Sequence, residues 1–315
     1  MSASVPFTAA RKAAGAGFWY PGTKSSLDKM IDECCERART YDSDPKMPHD
    51  FPKKDVDVHA AITARRALGV FVPHAGFRYS GSIVACGIDG LKESVMANGG
   101  EPETVVVLGF GHKISFDGVA ILDGASLAFP NGTVELDSEA ARFLVSCPEG
   151  KDIIFPEWNR THNGEHSAEN EIPFIHRAFP KAKLVVALIG SKDKTTVSAA
   201  ANAFSALRRT LRPKMVLVAS TDMLHDPDYD LVRATDLETL EMSQDCSEEG
   251  AKKLRKRWSP DSQCYCGIST VLTLLTFARL EGAKEGVILH YENSGDRNPD
   301  SRGSWVVGYG TGLYL

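Results

Sequence analysis

Four short apolar runs, each stopping abruptly at small or polar residues, constrain this chain more than any other feature. Residues 67–72 end in Pro73-His74-Ala75-Gly76, and residues 104–108 end in Gly109-Phe110-Gly111-His112. Residues 183–189 end in Gly190-Ser191, and residues 214–219 end in Ser220-Thr221-Asp222. None alternates apolar with polar positions, so none reads as a strand with one wet face. Such runs predict strands buried on both sides. Segments 286–289 and 304–309 read as later strands. A helix with Leu27, Met30, Ile31 and Cys34 on one stripe is expected over 24–39, and residues 40–56 read as a surface loop. Further helices are expected at about 80–93, 166–179, 194–211, 246–257 and 267–281. This alternation predicts an α/β fold: a single domain over residues 1–315 with a central, mostly parallel β-sheet flanked by helices.

Composition removes several classes of function. Lys plus Arg is 36 against 41 for Asp plus Glu, a formal net charge of −5. A duplex-binding protein normally carries a basic footprint, so no nucleic-acid partner is expected. The basic run Lys252–Arg257 follows Glu248-Glu249 and reads as the solvated end of a helix. No run of about 18 apolar residues occurs, so no membrane span is predicted. The first 27 residues hold no acid, a faint echo of a transit peptide, but lack the apolar stretch of a secretory signal. Seven cysteines, an odd number, predict free thiols in a reducing compartment, hence a cytoplasmic location.

The polar residues matter through their position. His74, His112 and Asp222 each fall just past a predicted strand, and ligands of open α/β sheets bind beyond the carboxyl ends of strands. If those strands are parallel neighbours, the three side chains converge. Imidazole is the commonest nitrogen ligand for zinc, copper and iron. The bland alternatives are histidines packed against turns and an aspartate capping a strand end. Asn163–Glu169 brings Glu165, His166 and Glu169 within one helical turn; Ser167 as a helix cap and a functional cluster are both open readings. Asp222 and His225 lie three residues apart, so one face of a turn could present both, and Asp222 could orient a histidine ligand or act as a base. Cys266 precedes the helix from Ile268, where the dipole is expected to favour the thiolate, a soft ligand or nucleophile. No P-loop, dinucleotide glycine fingerprint, Gly-x-Ser-x-Gly elbow or paired Cys-x-x-Cys occurs, which disfavours nucleotide chemistry and structural zinc.

Several of these stretches stand in a collinear order that resembles one known family. They are Arg11–Tyr20, Val72–Gly81, Leu108–His112, Glu165–Glu169 with Ile172–Phe174, Ser220–His225, Cys266-Gly267 and Ser304–Tyr309. Together they resemble the Memo family (mediator of ErbB2-driven cell motility, also the AmmeMemoRadiSam system protein B family). The resemblance implies a fold similar to the LigB-type class III extradiol dioxygenases. It also implies an iron or copper pocket whose ligands fall at His74, His112 and Cys266, with Asp222 and His225 as the accessory catalytic pair. The family's Gly-Pro-Ser-His-His reads Gly109-Phe110-Gly111-His112-Lys113 here, Gly15 stands where a histidine is usual, and Leu224 and Asp226 replace Cys and Trp.

Two functions follow from this reading. The first is a mononuclear metal protein, read as a metal-dependent oxidoreductase in redox or cell-motility signalling, with zinc an alternative ion and a small-molecule substrate. Catechol ring cleavage is disfavoured because a thiolate would replace the carboxylate ligand. The second is a signalling adaptor in which the same pocket receives a phosphotyrosine-containing peptide.

Overall fold

The computed structural model describes residues 10–41, 57–150, 152–259 and 264–315. Most of the expected 40–56 loop and the first nine residues lie outside them. The chain opens with β1 (Arg11–Lys12), α1 (Lys24–Arg39), α2 (Val58–Ala64), β2 (Gly69–Val72) and α3 (Phe77–Ala97). Next come β3 (Thr104–Phe110), β4 (Val119–Ile121), β5 (Ser126–Phe129), β6 (Gly132–Glu135), α4 (Ser138–Ser146) and β7 (Ile153–Ile154). They are followed by α5 (Ile172–Ala178), β8 (Lys183–Ile189), α6 (Lys194–Thr210), β9 (Val216–Ser220) and β10 (His225–Asp226). The chain closes through α7 (Tyr229–Ser243), α8 (Glu248–Arg257), α9 (Ile268–Leu280), β11 (Gly286–Asn293), α10 (Ser294–Arg297) and β12 (Val306–Tyr314).

Among the described residues, nine strands form one sheet in the order β10-β12-β2-β9-β3-β8-β4-β7, with β11 also on β12. The four apolar runs form its centre, β2-β9-β3-β8, and pair in parallel throughout. The flanks correct the expectation of a mostly parallel sheet. β12 runs antiparallel to β2, β10 and β11, and β4 runs antiparallel to β8. A parallel return needs a long crossover, usually a helix. The short link 294–305 holds little more than α10, so the chain turns straight back and the sheet is mixed.

Burial on both faces follows the period of two along each strand. Val105, Val107, Val216, Val218, Val70 and Val72 pack with Leu27, Ile31, Val84, Ile88 and Ile172 from α1, α3 and α5. Val106, Leu108, Leu217, Ala219 and Phe71 pack on the other face with residues such as Phe204, Val271 and Leu275 from α6 and α9. Helix starts are capped from the sequence: Thr23 accepts the amide of Ser26, and Asp193 accepts those of Thr195 and Thr196.

The helix expected over 166–179 is shorter, because residues 166–171 form turns and α5 starts at Ile172 with Pro173 in its first turn. The long α7 has no counterpart among the expected helices. Its buried face carries Thr235, Asp236, Thr239 and Ser243 beside Val232 and Leu240, so apolar periodicity never marks it. None of the seven cysteines is in a disulfide, and no helix among the described residues is long and apolar enough to cross a membrane.

One buried histidine makes stability depend on acidity. His162 Nε2 lies 3.1 Å from the carbonyl of Ala120 in β4. Burial, with the charge of Arg11 adding to it, lowers its pKa from 6.5 to about 3. In the unfolded chain it takes up a proton near its ordinary pKa, so its contribution is complete above that point and lost as pH falls toward the folded value. Denaturant midpoints are therefore expected to drop as pH is lowered from 6.5 toward 3, and His162→Gln should make the drop shallower. An identical pH profile in the variant would contradict this.

Candidate metal centre

The parallel centre of the sheet delivers its polar residues to one edge. Beyond β2, Pro73 leads into His74, whose turn is pinned from two sides. His74 N and Ala75 N donate to Asp222 Oδ1 at 2.8 and 3.2 Å, and Asn170 Nδ2 donates to His74 O at 2.7 Å. Beyond β9, the Thr221 amide donates to Val72 O at 2.9 Å, which holds the 221–225 stretch against the end of β2. Asp222 thus has a backbone-capping task, while its second oxygen faces two rings. Oδ2 lies 3.9 Å from His74 Nε2 and 3.8 Å from His225 Nε2. His225 itself is placed by β10, whose partner is β12.

Beyond β3, the chain passes Gly111 and reaches His112. Gly109 must lack a side chain, since a Cβ there would stand 2.5 Å from Ser167 Oγ and 2.6 Å from Ala168 N. That close approach seats the 165–168 turn on the strand end, where Ser167 Oγ donates to Phe110 O at 2.7 Å. Ser167 is therefore a docking residue and not the helix cap that the sequence left open. Glu165 is the hub of this turn. It accepts the amides of His112, His166 and Ser167 at 2.7, 2.9 and 3.0 Å, and lies 3.2 Å from His112 Nδ1. Burial pushes its pKa up, but hydrogen bonding from His112, His166 and the Ser167 amide outweighs that and holds it far below the carboxylate range.

Three imidazoles meet here. The rings of His74, His112 and His166 have centroids 5.1, 5.3 and 5.4 Å apart. One ligand nitrogen from each lies within 4.8 Å of the others, so the group could hold a metal ion. Trp19 stacks flat on His166 with centroids 4.0 Å apart. Cys266 meets the cluster on the His74 side, with Sγ 3.4 Å from His74 Nε2. His166 Nδ1 lies 3.3 Å from Glu165 Oε1, and His225 Nε2 lies 3.8 Å from Asp222 Oδ2. Imidazoles beside a thiol are donors that a borderline or soft cation takes, so the donor set fits such an ion. Burial, opposed by the charge of Asp222, lowers His74 to a pKa of about 3 and keeps it neutral. Burial also lowers His225, again against Asp222.

The thiol departs from expectation. Gly267 is the cap of α9, so Cys266 stands just outside the helix. Burial, and after it the negative charge of Asp222, pushes the thiol up to about 12. Desolvation and a nearby anion outweigh the helix dipole, and Cys266 is a thiol rather than a thiolate in the metal-free protein.

All five residues expected from the sequence border this pocket. His166, which the sequence leaves open between cap and site, is part of the cluster because α5 starts late. Glu169, read with it, does something else: it accepts Ala14 N, Gly15 N and Tyr20 Oη at 2.9, 2.6 and 3.0 Å and so ties residues 14–20 across the site. Lys192 was not singled out. It follows β8 as His112 follows β3, and its ammonium lies 5.1 Å from the Phe110 ring centre and 4.2 Å from that of Trp258.

Fold and site together define an α/β protein with a cluster of three histidines, His74 buried and His112 exposed, at the carboxyl ends of its parallel strands. A family model described as "Memo-like protein" matches residues 11–313, and the chain belongs to that family. A MEMO1 family protein of Methanopyrus kandleri is 30% identical over 301 residues, covering 95% of this chain and 96% of its own. One from Methanobrevibacter smithii is 29% identical over 308 residues, covering 96% and 99%. Another, from Aeropyrum pernix, is 30% identical over 300 residues, covering 95% and 97%.

Glu165 orients two imidazoles at once, so its charge should matter to any ion they bind. Glu165→Gln is expected to weaken metal affinity about 10- to 100-fold, as removal of partners behind metal-bound histidines does. Equilibrium titration of the metal-free variant measures this. Unchanged affinity would remove Glu165 from the orientation of the cluster.

Proposed function

We propose that the chain, as one Memo-like domain over residues 1–315, is a mononuclear metal protein that carries iron or copper. The observation behind this reading is the meeting of buried His74 with His112 and His166, and of His74 Nε2 with Cys266 Sγ at 3.4 Å. His74, His112 and Cys266 are the proposed ligands, with His166 a further donor beside them. Two imidazoles and a thiolate suit copper(I), iron or zinc, and the family resemblance favours iron or copper. Binding displaces the thiol proton, so metal uptake by Cys266 is coupled to proton release.

A redox-active ion held there would supply electron transfer at an open coordination position. The protein's residues would do the rest. Asp222 Oδ2, between His74 and His225, would hold or pass a proton. The His225 side chain, 34% exposed, would connect that carboxylate with solvent. Trp19, flat on His166, would keep water from that ring. This describes a metal-dependent oxidoreductase, with a fold of the LigB dioxygenase kind but without ring cleavage. The free cysteines support a cytoplasmic setting.

A second reading rests on a separate observation. Lys192 places a cation beside the pocket, and Phe18 (84% exposed) and Trp305 (57%) stand on the surface. Those features favour an adaptor that receives a phosphotyrosine-containing peptide. Affinity for such a peptide that is unaffected by metal loading or by Lys192→Ala would count against this pocket as its receptor.

Elemental analysis tests the first reading. Protein purified without added metal should carry about one ion per chain, and His74→Ala and Cys266→Ser should each lower that content. His166→Ala separates a ligand from a neighbour. Unchanged stoichiometry in both the His74 and Cys266 variants would defeat the assignment.

A further inference from the structure

Beneath His74 lies a set of buried polar groups that metal binding alone does not account for. Ser220 and Glu171 are both 0% exposed. Ser220 Oγ lies 3.0 Å from His74 Nδ1 and 2.9 Å from Glu171 Oε1, and it also hydrogen-bonds the Ser167 carbonyl oxygen. Proton counting decides which atom donates to which. A carbonyl oxygen has no hydrogen to give, so the contact with Ser167 O takes the single hydroxyl proton of Ser220. His74 Nδ1 and Glu171 Oε1 then both face lone pairs of the same oxygen. Each must bring its own hydrogen. A hydroxyl oxygen accepts two hydrogen bonds and donates one, so the arrangement is complete.

We infer that Glu171 is a positioning residue, a neutral carboxylic acid that acts through Ser220 to hold His74 as its Nδ1–H tautomer. Nε2 is then the nitrogen left with a lone pair, and it is the one that faces Cys266 Sγ. Surroundings agree with a neutral acid. Burial raises the pKa of Glu171 well above the usual range, and the charge of Asp222 adds to this. Glu171 Oε2 has no hydrogen-bond partner. An orphaned carbonyl-type oxygen is far cheaper to bury than an orphaned carboxylate. The inference deepens the metal reading, since it concerns how one proposed ligand is aimed.

The metal-free protein provides the test. Nitrogen NMR should show His74 neutral with its hydrogen on Nδ1, and infrared spectra at neutral pH should show a protonated carboxyl band that disappears in Glu171→Gln. That variant keeps a donor toward Ser220, so it should keep the tautomer and bind zinc within about threefold of wild type, whereas Ser220→Ala and Glu171→Met should lose about tenfold or more. An ionised Glu171, a His74 hydrogen on Nε2, or equal losses in Glu171→Gln and Glu171→Met would each overturn the inference. Should the tautomer and the carboxyl band appear as stated while wild type binds no metal, the ligand reading falls and the Glu171 relay stands.

Discussion

The pocket exists because β9 pairs between β2 and β3. Along the chain the parallel strands come in the order β2, β3, β8, β9, whereas across the sheet they lie β2-β9-β3-β8. Inserting β9 there brings Ser220, Thr221 and Asp222 up between the His74 turn and the end of β3. The register that aligns Val72 with Ser220 puts the Thr221 amide on the Val72 carbonyl, which fixes the level of both loops. From that pairing follow the capping of His74 by Asp222, the contact of Ser220 with the ring beneath, and the anchoring of Cys266 N on Asp222 O at 3.1 Å. A side-by-side order would scatter the same residues along the sheet edge.

The sheet centre was legible because strands buried on both faces must be apolar at every position, and that leaves a plain mark. So was the idea that residues just past those strands converge, which located His74, His112 and Asp222. Elements whose buried face is polar left no such mark. Asp236 is 0% exposed and accepts from Leu224 N and Tyr291 Oη, a burial that a charged residue does not signal in sequence. His166 was visible as a residue but not as a partner of His74, because that depends on where α5 begins and on the space left by Gly109. The role of Ser220 was hidden for a similar reason: its three contacts come from positions 53, 49 and 146 residues away. The antiparallel flank pairings and the mixed character of the sheet depend on link lengths that apolar periodicity does not register.

Burial acts in opposite directions on the two kinds of donor in this pocket. Taking His74 out of water disfavours its charged form, so the imidazole stays neutral with a lone pair to offer. Taking Cys266 out of water also disfavours its charged form, so the thiol keeps its proton. The negative charge of Asp222 works against burial at the histidine and with it at the cysteine. The same desolvation thus leaves the imidazole with a lone pair to offer and the sulfur with its hydrogen.

The tie from Glu169 to residues 14–20 has a bearing on how the protein tolerates trimming. The wall over His166 comes from the beginning of the chain, and the support under His225 comes from β12 near its end. Cleavage between Tyr20 and α1 would take Trp19 off the His166 ring and break the ties to Glu169, leaving that side of the cluster open to solvent.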